Sequence, residues 1–247
     1  MPSLKRRQLV DRDQGGVYHC WNRCVRRAFL CGKDPATEQD FSHRRDWILT
    51  RQEQLAQLFA IDIEFHAEMR NHLHLVLRTR PDVAQRWSRQ EVARRWLTIT
   101  RLAKCMDDSL PQPQQKRVLA LAKDKKRIAK LRRRLSSISW WMGTLCENIA
   151  RRANQEDDCT GRFWETRFKC RKCVDDGAVI ICGMYVDLNP FSAGEASSLQ
   201  TSYYSSAYQR IQALGQRTNA RDRADAWLGE LTLVEGSERD SYVKLHS

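Results

Sequence analysis

The sequence predicts an α+β fold built on an antiparallel sheet. Three observations predict it: two neighbouring segments of strict apolar alternation, an amphipathic helix before them, and a later apolar helix closed by a proline. The alternation weighs most, because successive side chains of a strand leave opposite faces, so a half-buried strand repeats every two residues. From Ile61 to Met69, the residues Ile61, Ile63, Phe65, Ala67 and Met69 alternate with Asp62, Glu64, His66 and Glu68. After Arg70 and Asn71, HLHLVL sets Leu73, Leu75 and Leu77 on one face and His72, His74 and Val76 on the other. Two such runs in succession predict a hairpin.

The other elements follow in chain order. VYHCWNRCV (Val17 to Val25) mixes β-branched, aromatic and polar residues in short alternation and reads as a strand. Between Ser42 and Ala60, Trp47, Ile48, Leu55, Leu58 and Phe59 recur at helical spacing among polar residues. Asp82 to Asp158 is rich in Arg, Lys, Leu, Ala and Trp and reads as helical, with a break at Leu110-Pro111-Gln112-Pro113. Its densest part, Lys116 to Arg134, carries ten Lys or Arg against the single acid Asp124 and could project as a basic helix. A solvated helix face is the plain reading of any one of these residues, and a DNA-backbone contact is the reading of the cluster. Thr160-Gly161 reads as a turn, and Arg162 to Lys169 as a strand with aromatics among charges. From Asp175 to Leu188 an apolar helix is expected, capped by Asp175 or Asp176. It should end near Asn189, because Pro190 disfavours helical geometry before it. A short helix is expected around Ala207 to Leu214.

Composition narrows the function. The 247 residues hold 43 Lys and Arg against 30 Asp and Glu, a formal charge of +13. A polyanion is the natural partner of such a chain, since each neutralised phosphate releases counterions. No apolar run is long enough to span a bilayer, and Met1 to Arg7 leads into polar Gln8 and Asp11 with no signal-peptide core. A soluble, cytoplasmic protein without a membrane partner is the expectation. The nine cysteines are odd in number in a large chain and are expected as reduced thiols. Cys170 and Cys173 form one CxxC, and Cys20, Cys24 and Cys31 lie close in sequence, but no second CxxC or histidine pair completes a zinc signature.

Two constellations carry candidate chemistry. His72 and His74 leave one face of a strand together, so they can bind one divalent ion, and Glu64, His66 and Glu68 on the neighbouring strand could supplement or orient them. Alone, an HxH is equally a pair of surface histidines on a half-wet sheet. Tyr185 and Asn189 lie four apart on the predicted helix, hence on one side of it. A tyrosine is a poor nucleophile at its ordinary pKa of about 10, so attack on phosphorus needs a polarised target and a cation. A core tyrosine beside a helix-ending asparagine is the alternative.

The chain resembles the HUH single-tyrosine transposases, specifically their REP-associated branch. The resemblance rests on NHLHLVL (Asn71 to Leu77), GRFWETRFK (Gly161 to Lys169) and MYVDLNPFSAG (Met184 to Gly194), supported by VRRAFLCG (Val25 to Gly32) and SWWMGTLCENIARRAN (Ser139 to Asn154). It spans roughly Val17 to Leu214. It implies a ferredoxin-like core over residues 1–81 and 159–215, a basic helical insertion over 82–158 and a C-terminal tail over 216–247. It also implies that His72, His74 and Asn189 bind Mg²⁺ or Mn²⁺ and that Tyr185 attacks a phosphate of single-stranded DNA beside a hairpin or palindromic repeat. The product would be a 5′-phosphotyrosine, which another 3′-hydroxyl can resolve by joining strands without ATP. Arg162, Trp164, Arg167 and Lys169 are candidate DNA contacts, with aromatics stacking on bases and cations holding phosphates. A nucleoid-associated protein, single or as a homodimer, fits this expectation. The chain departs from the family's pattern at Arg70, where a small residue or proline is common, and at Ser192, where an arginine is.

Two other classes compete. A domesticated protein of this fold would bind DNA without cleaving it. A histidine-triad nucleotide hydrolase would need a third alternating histidine, where this chain has Val76.

Overall fold

A computed structural model describes residues 15–25, 28–105, 107–216, 219, 222–229, 231–234 and 242–244. It is an α+β protein whose main sheet has four antiparallel strands: β1 (Val17–Arg23), β2 (Ile61–Glu68), β3 (His72–Thr79) and β4 (Lys169–Cys173). Their order across the sheet is β2-β3-β1-β4, the arrangement of a ferredoxin-like core. Helix α1 (His43–Leu58) connects β1 to β2, and the predicted hairpin joins β2 to β3. Between β3 and β4 come α2 (Pro81–Arg86), α3 (Arg89–Leu102), α4 (Gln115–Lys123), α5 (Lys125–Leu135) and α6 (Ile138–Glu156). After β4 follow α7 (Asp176–Ser192), a 3₁₀ turn (Leu199–Thr201), α8 (Ser206–Leu214) and a small pair, β5 (Thr232–Val234) and β6 (Tyr242–Lys244). About half of the predicted tail, residues 216–247, lies outside the described residues. No described helix is long and apolar enough to cross a membrane.

The sheet separates two apolar clusters. Tyr18, Cys20, Leu73, Leu75 and Leu77 join Leu55 of α1 and Trp141, Leu145 and Ile149 of α6 on one face. Val92, Ile99, Val118, Ile128 and Leu131 of α3, α4 and α5 continue this same cluster. The basic stretch therefore does not project as a single helix. It is two helices hinged at Asp124, whose side chain accepts from the Arg127 N–H, with apolar faces buried and cations turned outward. On the other face a smaller cluster of Val17, Phe65, Ala67, Met69 and Val76 receives Val186 of α7.

Three local expectations are corrected. The alternation of β2 is interrupted by a β-bulge between Ile63 and Phe65, where an extra residue shifts the phase by one. Ile61 and Ile63 consequently face α1, whereas Phe65 and Ala67 face α7. The stretch from Arg162 to Phe168 is not a strand. Only Trp164 makes a bridge, to Cys24, and regular pairing begins at Lys169. Helix α7 runs through Pro190 to Ser192, with Asp175 capping its start by accepting from the Ala178 N–H at 2.7 Å. Proline is tolerated there because the chain leaves the helix within a turn, through Gly194 at φ +67°.

Gly183 sets how closely α7 approaches the sheet. A Cβ at this position would lie 2.4 Å from Cζ of Phe65. In an open helix Gly→Ala gains about 1 kcal/mol, but forced overlap in a packed core costs about 1–3 kcal/mol. Gly183→Ala is expected to lower the unfolding temperature, and Phe65→Leu in the same chain to recover part of the loss. A Gly183→Ala protein as stable as wild type would show that α7 is not held at this distance.

Candidate active site

The site grows from the β3 alternation and its neighbours. The register pairs Arg23 with His72, Trp21 with His74, His19 with Val76 and Val17 with Arg78, so these side chains share the α7 face of the sheet. His72 and His74 stand with ring centroids 5.0 Å apart and nearly perpendicular. Tyr185 presents its ring edge-on to His74 at 5.4 Å and to His19 at 5.9 Å. One turn further along α7, Asn189 is hydrogen-bonded to His72. The structure thus brings together His72, His74, Tyr185 and Asn189.

Both imidazoles are neutral at ordinary pH. Burial, with the nearby charge of Arg23 contributing, lowers His72 to about 4. His74 falls to about 2, through burial first and then the positive fields of His72, His19 and Arg23. Nδ1 of His72 is engaged with Asn71 Oδ1 at 2.6 Å, and Nδ1 of His74 with Nε2 of His19 at 2.9 Å. If each Nδ1 carries its proton into these bonds, Nε2 of His74 keeps a lone pair for a ligand, and Nε2 of His72 would offer its own in place of its contact with Asn189. His19 was not anticipated. Its signal was the alternation of VYHCWNR, which sets His19 and Trp21 on one face, but which face depends on strand pairing that local pattern does not specify.

The donor set suits a cation that accepts nitrogen and amide oxygen while leaving positions open. Among the described residues, no three His, Cys, Asp or Glu side chains converge to hold a metal ion, so the asparagine oxygen is the third protein donor available. The bulge also removes the expected helpers. His66 is fully buried, with Nδ1 bonded to Glu68 at 2.9 Å, and Glu68 accepts from Gln52 of α1 at 2.6 Å, on the far side of the sheet. Glu64 stays on the α7 face but pairs with Arg78. None of the nine cysteines forms a disulfide, and Cys170 and Cys173 fall on opposite faces of β4.

Helix α7 is fastened along its length. Asp187 accepts from the Ser206 hydroxyl and, at 3.0 Å, from the Ala207 N–H at the start of α8. Just beyond the helix, Glu195 pairs with Arg70 at 3.3 Å and accepts from the Arg70 backbone N–H. The departure at Arg70 therefore has a use: it ties the tyrosine helix to the turn that leads into His72. No contact of Ser192 explains the other departure.

The four predicted DNA contacts divide. Arg162, Trp164 and Arg167 line a groove of about 610 Å³ against Met142, Cys146 and Glu147 of α6. Trp164 is buried there, and its indole N–H donates to the Cys146 carbonyl at 2.9 Å, so its ring is a packing element rather than an open stacking platform. Arg162 and Arg167 are exposed. Lys169 lies elsewhere, across from Trp21 on the face that carries the imidazoles. A separate cavity of about 330 Å³ lies between α7 and β2, lined by Phe65, Val179, Met184 and Leu188, and none of the imidazoles reaches it.

No protein-family model matches the chain, and no significant match is found among curated proteins. Among solved structures, a REP-associated tyrosine transposase bound to a REP hairpin is similar at 12% identity, with a TM-score of 0.45, over 88% of this chain and 94% of that one.

Proposed function

We propose that this chain is a metal-dependent single-stranded DNA endonuclease and strand transferase, acting beside hairpins or palindromic repeats through a 5′-phosphotyrosine on Tyr185. The observation that carries the reading is the meeting of a solvent-accessible phenol, 54% exposed, with two neutral imidazoles and an amide from the same helix face. Attack by the Tyr185 oxygen forms an O–P bond, the bond from phosphorus to the 3′ oxygen breaks, and that oxygen leaves with the electron pair and gains a proton. Each step exchanges one ester for another, so a second 3′-hydroxyl can run it backwards. His72, His74 and Asn189 would hold Mg²⁺ or Mn²⁺, which when bound neutralises charge growing on the phosphoryl oxygens. His19 and Asn71 keep the two rings oriented. The outward cations of α4 and α5, with Arg162, Arg167 and Lys169, hold phosphates of the hairpin and its flanks. Action on DNA places the protein in the cytoplasm at the nucleoid.

The test is direct. Full-length protein is incubated with single-stranded oligonucleotides that fold into hairpins, with Mn²⁺ or Mg²⁺ and with chelator. An adduct that survives denaturing electrophoresis, forms only with metal and is accompanied by release of a fragment ending in a free 3′-hydroxyl is the expected result. Binding with no adduct under any metal would leave the non-cleaving DNA-binding reading in its place.

A further inference from the structure

Helix α7 covers only part of its face of the sheet. It rests on β2 and β3 and meets β4 near Cys173, where the Cys182 thiol contacts the Cys173 thiol. Beside that cover lie the side chains of β1 and β4 that point the same way. The register sets Trp21 opposite Lys169 and His19 opposite Arg171, with Arg23 opposite His72 on the other neighbour. Trp21 is half-buried, Lys169 and Arg171 are exposed, and none of the three cations forms an ion pair among the described residues.

The rings form a row. Trp21 stacks on His19 at 4.9 Å and 29°, and His19 stacks on His74 at 5.1 Å and 23°. Tyr185 touches two members of that row from above. An aromatic surface therefore runs from the imidazole pair outward to Trp21, bordered by cations on both sides.

We propose that this open strip, with Trp21 at its outer end and Arg23, Lys169 and Arg171 around that end, is a binding subsite for one unpaired nucleotide next to the phosphate presented to Tyr185. The proposal rests on the DNA-cleaving reading above and adds where the single strand lies. Every nucleobase offers a π face to an indole, but only when it is not stacked within a duplex, and its flanking phosphates need cations at the spacing that unpaired side chains on adjacent strands provide. A duplex stem would hide those faces. An apolar protein segment would leave three cations without partners.

The experiment uses two probes with the full chain in the presence of chelator: a blunt hairpin and the same hairpin with a single-stranded extension of ten nucleotides. Stacking on one aromatic contributes about 1–3 kcal/mol per base, or about fivefold to 150-fold in affinity. Trp21→Ala is expected to weaken binding of the extended hairpin at least about fivefold and to leave the blunt hairpin unchanged, with Trp21→Phe recovering most of the loss. An abasic scan along the extension should find one position whose removal weakens wild type but not Trp21→Ala. Lys169→Gln combined with Arg171→Gln should reduce the salt slope for the extended probe by about 1.4, near 0.7 per phosphate contact. Equal losses on both probes, a Trp21→Phe protein as weak as Trp21→Ala, or an abasic scan that is additive with Trp21→Ala would each overturn the subsite. If wild type binds neither probe, the DNA-cleaving reading itself falls, a result distinct from the others.

Discussion

Tyr185→Phe is expected to abolish covalent protein–DNA adducts while hairpin binding stays within about twofold of wild type. The substitution removes one oxygen and keeps the ring that leans on His74 and His19. The side chain is more than half exposed, so stability should change by no more than about 0.5 kcal/mol. Unchanged melting and unchanged binding would show that the site is intact, which makes the loss of adduct specific to the nucleophile. A drop of at least about 10³-fold in adduct rate is expected, because water or another side chain in this site lacks the tyrosine's position relative to the imidazoles. A Tyr185→Phe protein that still forms adducts would transfer the role to another hydroxyl or thiol and remove the central residue from the proposed chemistry.

The largest expected effect on stability comes from Arg44, a fully buried cation at the start of α1. Its Nε donates to Glu156 at 2.7 Å, it pairs with Asp157, and it donates to the Leu30 carbonyl at 3.2 Å. The guanidinium also sits 4.2 Å from the Phe41 ring centroid. Arg44→Ala leaves a cavity where a large side chain stood and strips the Leu30 carbonyl of its donor. Because Glu156 and Asp157 reach solvent, the loss should be moderated to about 2–4 kcal/mol. For a chain of this size that is a fall of roughly 5–15 °C in Tm. Arg44→Lys should be intermediate, since an ammonium cannot reproduce the fork. Acid should erase part of the difference. Burial works to raise the Glu156 pKa, but the hydrogen bonds from Arg44 and His43 outweigh it and hold the carboxyl below its ordinary value. A depressed carboxylate contributes stability above its unfolded pKa and loses it as pH falls through the folded value, so the gap between wild type and Arg44→Ala should narrow, without closing, as pH falls below the ordinary glutamate range. Equal melting temperatures at neutral pH would contradict this account.

The elements that local periodicity specifies were legible in the sequence. HLHLVL fixes which residues share a face whatever its partners, and the four-residue interval from Tyr185 to Asn189 fixes one side of a helix in the same way. The meeting of these side chains follows once α7 is laid on β3. What could not be read depends on contacts distant in sequence. His19 belongs to the site only because β1 pairs with β3 in one particular register. The bulge after Ile63 inverts half of β2, although the sequence there alternates without a break, because the extra residue is accommodated against the partner strand. Trp164 reads as an interfacial aromatic until α6 supplies the Cys146 carbonyl for its indole N–H. The cations of Lys116 to Arg134 hide the fact that Val118, Ile128 and Leu131 anchor their helices in the main core.

The inversion at Glu64 leaves the imidazole face without a carboxylate bonded to either ring among the described residues, while Arg23 and Arg171 add positive field nearby. An ion that settles between two uncharged rings and an amide gains little Coulombic attraction from the protein alone. On the proposed reading, nucleic acid would bring the missing negative charge. Ion and polynucleotide should then load as a pair, each raising the other's occupancy, and the protein at rest should keep neither for long.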